Sequence, residues 1–173
     1  MKNFNEKDYE YMKMALEEAK ISYNRGDLPV GAVLTIDGNL IGKGGNASNS
    51  LDKYSSHAEF IILDMFSRLL KTKDKSSEST LYTTWEPCLM CLAISRMNRL
   101  DKIIYACPDP VGGATKMDPK SVSPWYAKDW PKIENGIYRN ESYELLSKYM
   151  EENKTRWGNF LKKMEDMKKS RQF

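Results

Sequence analysis

The sequence predicts an α/β protein: helices covering a sheet whose strands run parallel in its second half. Three observations carry that reading. Apolar residues near the start of the chain recur at helical spacing, short β-branched runs then alternate with helical segments, and a "DGN" turn joins the first two of those runs. With 173 residues and 20.0 kDa, the chain is expected to form one domain, with a core over about 6–153 and a helical extension over about 154–173.

Residues 6–25 read as a helix through Met12, Leu16, Ala19 and Tyr23, closed by Gly26. "PVGAVLTI" (29–36) reads as a buried strand, "DGN" (37–39) as a hairpin turn, and the glycine-rich 40–48 as the returning strand. Ser55 or Ser56 can cap a helix over about 57–70. "LYTTW" (81–85) is a strand, and "PCLMCLAISRM" (87–97) a helix with proline near its first turn. "KIIYAC" (102–107) is a further strand. Residues 108–132 hold five prolines and two glycines and read as one long irregular segment. "IENGIY" (133–138) is a candidate fifth strand, Asn140 a cap for a helix to about 153, and 156–170 a last helix with Gly158 as a break point. Strands that alternate with helices imply an α/β layer with parallel strands in its second half.

Composition narrows the function. Hydrophobic residues make up 40% and charged residues 29%, as in ordinary globular proteins. A net charge of +3 does not by itself indicate nucleic acid; the clusters Lys71/Lys73/Lys75 and Lys162/Lys163/Lys168/Lys169/Arg171 read first as solvated surface. "MKNFNEKDYEYMK" lacks the apolar core of a secretory signal, and no run is long enough to cross a bilayer, so no membrane association is expected. Three cysteines give no disulfide framework, and a reducing cytoplasm is the expected location.

His57 is the only histidine, and Glu59 follows it at an expected helix start. Cys88 and Cys91 open another helix three residues apart, where the dipole and free N–H groups favour thiolates. Two thiolates and one imidazole suit Zn²⁺, and three protein ligands leave the fourth position open, the pattern of a catalytic site. Each half alone is ambiguous. "HAE" fits a surface helix start, and Cys-x-x-Cys fits a structural metal, a redox pair or neither. The order His-Ala-Glu…Pro-Cys-x-x-Cys is the signature of zinc deaminases of nucleobases.

On these residues the chain resembles the cytidine deaminase-like superfamily, most nearly the branch of tRNA adenosine deaminases and guanine deaminases. "LPVGAVLTIDGNLIGKGGN" (28–46), "HAEFIIL" (57–63), "LYTTWEPCLMCLAISRM" (81–97) and "IIYACPDPVGGA" (103–114) carry the likeness. The resemblance implies a three-layer fold with a mixed five-stranded sheet between helices. It also implies one Zn²⁺ per chain on His57, Cys88 and Cys91, and Glu59 as general base and acid. Asn46 would hydrogen-bond the substrate; Val30, Ala58 and Trp85 would line the base pocket, and Asp109 would lie beside the substrate. From the residues alone, Asn46 and Asp109 read as turn residues, Trp85 fits core as well as pocket, and Cys107 is a small buried residue.

After Ala114 the likeness fades. Residues 115–132 carry Trp125, Tyr126 and Trp130, and are expected either to cover the active site or to pack on the sheet edge or a second subunit. A lid would favour hydrolytic deamination of a free nucleobase, nucleoside or nucleotide; deamination of adenosine in tRNA is the alternative, and a non-catalytic zinc-binding module the alternative of another class. The family implies a homodimer.

Overall fold

The computed structural model describes residues 4–170; Arg171 of the basic C-terminal cluster lies outside them. Helix α1 (Glu6–Asn24) opens on a capping box in which Asn5 and Asp8 exchange side-chain and backbone hydrogen bonds. Strands β1 (Gly31–Ile36) and β2 (Asn39–Gly45) form the hairpin, turned by Asp37 and Gly38 with positive φ. Then come α2 (Ala58–Met65), α3 (Ser67–Thr72), β3 (Ser79–Trp85), α4 (Leu89–Met97) and β4 (Lys102–Cys107). A 3₁₀ turn (Pro119–Ser121), α5 (Pro124–Ala127), β5 (Lys132–Asn135), α6 (Arg139–Glu152) and α7 (Lys154–Lys169) complete the chain.

The five strands lie in the order β2-β1-β3-β4-β5. β1 is antiparallel to β2 and β3, while β3/β4 and β4/β5 are parallel. This is the mixed sheet expected from the sequence. Alternating strand residues divide the core. Val33, Tyr82, Ile104 and Ala106 cluster with Met12 and Ala15 of α1. Ala32, Leu34, Leu81 and Ile103 cluster with Ile62 and Leu63 of α2 and Leu92 of α4, and Leu146, Met150, Leu161 and Met164 of α6 and α7 extend this second cluster.

Several sequence expectations change. The helix over 57–70 is two helices, because Phe66 leaves helical geometry (φ −104°, ψ 12°) where its ring lies over Gly42 of β2. Residues 108–132 are not wholly irregular: Asp118 and Ser123 each cap a short helical turn that begins with proline. β5 ends earlier than expected, at Asn135, before Gly136 (φ 119°). The helix that follows starts at Arg139 from a left-handed Tyr138, not from an Asn140 cap. α7 runs unbroken through Gly158.

α1 crosses β1 at very short range. A Cβ on Gly31 would collide with the Ala15 carbonyl oxygen and stand 2.6 Å from the Ala19 nitrogen. Both are backbone atoms of α1 and cannot swing aside. Gly31→Ala is therefore expected to destabilise the fold by about 3 kcal/mol or more, where Gly26→Ala, with open space around it, costs only its backbone strain. Urea unfolding of the two variants checks the contrast.

Candidate metal centre

β3 runs out at Trp85, and the chain turns through Glu86 and Pro87 into α4. That places the start of α4 at the carboxyl end of the β3–β4 parallel pair, where open α/β sheets build their sites. Cys88 is the N-cap of α4, with extended backbone (φ −71°, ψ 173°), and His57 is the N-cap of α2 (φ −72°, ψ 150°). Neither is inside its helix. This is why His57 and Glu59, two apart, can face one point: the residue before a helix is not bound by helical periodicity.

His57 Nδ1 lies 3.6 Å from Cys88 Sγ and 3.5 Å from Cys91 Sγ, and the three donor atoms all fall within 4.8 Å of one another. Around a tetrahedral zinc, with bonds of about 2.3 Å to sulfur and about 2.0–2.1 Å to nitrogen, an N···S edge is about 3.6 Å. The donor set and its spacing fit zinc. Cys91 and the His57 imidazole lower the Cys88 thiol to about 4. Cys91 moves the other way, raised by its hydrogen bond with Cys88 and by burial. A dication would relieve this crowding of negative groups.

Glu59, only 4% exposed, completes the cluster. The Thr83 hydroxyl donates to its Oε1 at 3.1 Å, and the Cys91 thiol to its Oε2 at 3.6 Å. Burial raises its carboxyl above the ordinary range. A cavity of about 400 Å³ reaches the cluster at His57, lined also by Asn46, Asn49, Tyr54, Tyr149 and Trp157.

The family described as the cytidine and deoxycytidylate deaminase zinc-binding region matches residues 5–107. The chain belongs to this family. It is a zinc-dependent hydrolytic deaminase. Among curated relatives, the tRNA-specific adenosine deaminase of Agrobacterium fabrum is 32% identical over 142 residues, covering 82% of this chain and 93% of that protein. The tRNA-specific adenosine deaminase of Bacillus subtilis is 30% identical over 142 residues, covering 82% and 88%. A solved structure from work on A-to-I editing by tRNA:A34 deaminases at the wobble position of transfer RNA superposes with a TM-score of 0.69 at 33% identity, covering 79% of this chain and 99% of that one. The guanine deaminase of Nitrosomonas europaea, at 19% identity and TM-score 0.65, covering 82% and 83%, shares the fold.

The remaining expected residues of this deaminase separate. Asn46 lines the cavity and is also a turn residue. Its Oδ1 accepts from the Ser48 N–H and hydroxyl, and its Nδ2 donates no hydrogen bond among the described residues. Val30, Ala58 and Trp85 belong to the buried core cluster. Trp85 packs edge-on to Phe160 of α7, with Nε1 donating to the Pro108 carbonyl at 3.3 Å. Asp109 caps its own turn, accepting from Val111 and Gly112 N–H, and lines a separate depression with Glu86, Tyr105 and Lys163.

Three features were missed in the sequence. Thr83 orients Glu59, but in a strand it reads only as β propensity. Glu86 is buried, and its carboxylate accepts from Asp109 N–H, Thr115 N–H and the Thr115 hydroxyl. It thereby pins 109–115 against Cys88, which bridges to Gly113; an acid directly before Pro-Cys was the available signal. Tyr149, Arg156 and Trp157, from α6 and α7, wall the cavity without any motif to announce them.

With no second imidazole in the chain, His57→Ala is expected to lose most of its zinc. Metal content of the purified variant by mass spectrometry checks this, and full zinc occupancy contradicts the ligand set.

Proposed function

We propose that this deaminase converts adenosine to inosine in tRNA. The observation that carries the reading is the near full-length similarity to tRNA-specific adenosine deaminases, 32% identity across 82% of this chain and 93% of the relative. The cavity supports it. The sequence alone favoured a free base, on the expectation that residues 115–132 form a lid. The aromatic part of that segment packs at the far end of α4: the Arg96 guanidinium donates to the Trp125 and Tyr126 carbonyls and lies 4.4 Å from the Trp125 ring centroid. None of residues 115–132 lines the cavity at His57.

In this reading His57, Cys88 and Cys91 hold zinc. Bound there, the ion supplies the Lewis acidity that makes water a nucleophile at neutral pH. Glu59 takes the proton from the attacking water and passes it to the ring nitrogen; it then takes the remaining proton of the newly added hydroxyl and delivers it to the exocyclic amine, so that the C–N bond breaks, the carbonyl forms and ammonia leaves. Burial, by raising its pKa, suits it to both directions of transfer. Thr83 holds one carboxylate oxygen, so the other keeps a fixed direction. Asn46 presents its free amide to the substrate, and Val30, Ala58 and Trp85 form the apolar packing behind the base. Protein action in the cytoplasm belongs to the same reading.

We also propose a homodimer formed through the metal-bearing helices. Met65, Leu69, Leu89 and Met97, from α2, α3 and α4, are all exposed large apolar side chains. Leu89→Asp combined with Met65→Asp is expected to shift the molar mass in light scattering from two chains to one; unchanged mass counts against this interface.

Glu59→Gln is expected to keep zinc and lose deamination by roughly 10²–10⁴-fold. Ammonia release measured on free bases, nucleosides, mononucleotides and an anticodon stem-loop with adenosine at the wobble position checks the substrate. Release from free guanine alone would sink the tRNA reading, and none from any of them would favour a binding module.

A further inference from the structure

The rim of the cavity at His57 is formed largely by residues 47–56, and this loop is firmly held. The buried Asp27 carboxylate accepts the backbone N–H groups of Asn49 and Ser50 and the Ser50 hydroxyl, at 2.8–2.9 Å. Burial opposes charge on Asp27, yet its hydrogen bonds with Ser50, Arg25 and Asn49 hold its carboxyl below the ordinary value. Backbone bonds from Lys53 to Ser48 and from Ser56 to Lys53 fold the loop on itself, and Asp52 turns it with a left-handed backbone (φ 50°).

On this fixed loop stands Tyr54, 93% exposed although it lines the cavity. Its side chain makes no hydrogen bond, ion pair or ring contact among the described residues. The fold gains nothing from an aromatic ring placed there, and solvation of a bare ring is unfavourable. Two cations line the same cavity. Lys53 Nζ has no partner among the described residues, and Arg156, reaching in from α7, makes a single 3.3 Å bond to Asn49 Oδ1 and lies over the Trp157 ring. Asp52 is the one carboxylate on that lining among the described residues.

We infer that this rim grips the nucleotide next to the one being deaminated: the Tyr54 ring stacks on the neighbouring base, and Lys53 and Arg156 hold the phosphate that joins the two nucleotides. The inference rests on the RNA reading above. Sequence-specific RNA recognition targets single-stranded loops whose bases splay out and stack on aromatic side chains. A cavity of about 400 Å³ takes one extruded nucleoside, so its neighbours must lie on the rim. An enzyme for free bases needs no exposed ring and no cations at that place.

The test is fluorescence anisotropy with a labelled anticodon stem-loop, alongside 5′-AMP as a competitor. Tyr54→Ala is expected to weaken stem-loop binding roughly 5- to 100-fold, and Tyr54→Phe, which keeps the ring, to bind like wild type. Lys53→Ala is expected to lower the slope of log affinity against log salt by about 0.7, the share of one phosphate contact on a single strand. Stem-loop binding by Tyr54→Ala equal to wild type, in an enzyme that deaminates the stem-loop, overturns the grip alone. An equal loss on 5′-AMP also overturns it, since a mononucleotide has no neighbouring base. A wild-type enzyme that neither binds nor deaminates RNA overturns the substrate reading and the grip together.

Discussion

Everything at the centre depends on two helices beginning at one point. The N-termini of α2 and α4 converge, and the residues that meet there, His57 and Cys88, are each the last extended residue before a helix. Both therefore sit outside helical periodicity while staying tied to a rigid element. Cys91 and Glu59 then come from the first turns of the same helices. The free N–H groups and dipoles of both ends face the cluster, which favours thiolate at Cys88 and carboxylate at Glu59 against the cost of their burial. β3 sets the distance between the ends, because it supplies Thr83 to Glu59 and leads directly into Cys88.

This chemistry was legible in the sequence because it is local. His57 and Glu59 are two apart, Cys88 and Cys91 three apart, and the turn and helix signals around them are strong. The sheet was legible for the same reason: β-branched runs and the Asp37–Gly38 turn define β1 and β2 without reference to the rest of the chain. Boundaries were less so. Proline at 87 marks the approach to α4 rather than its first turn, and the break at Phe66 depends on Gly42, more than twenty residues away and invisible to local pattern.

The cavity walls were not legible. Asn46 is at once a turn residue and a cavity residue, so neither reading of its sequence context excluded the other. Residues 115–132 carried aromatic residues that suggested a cover, but their anchor is Arg96, buried at the end of α4, whose partners are backbone carbonyls that no motif encodes. The wall comes from α7. A run of ring contacts, Tyr23 to Tyr149 to Trp157 to Phe160 to Trp85, fixes that helix against the sheet. These five residues lie on α1, α6, α7 and β3, and only the folded chain brings them into line.

The solitary imidazole has a consequence for observation as well as for coordination. A chain with one histidine yields one pair of ring-nitrogen signals in a magnetic resonance spectrum, needing no assignment. Because that ring is at once a donor of the centre and part of the cavity wall, the same pair reports on whether the metal is in place and on whether the mouth is filled. The protein thus carries its own probe of loading and occupancy, at atomic resolution and without a label that could disturb either.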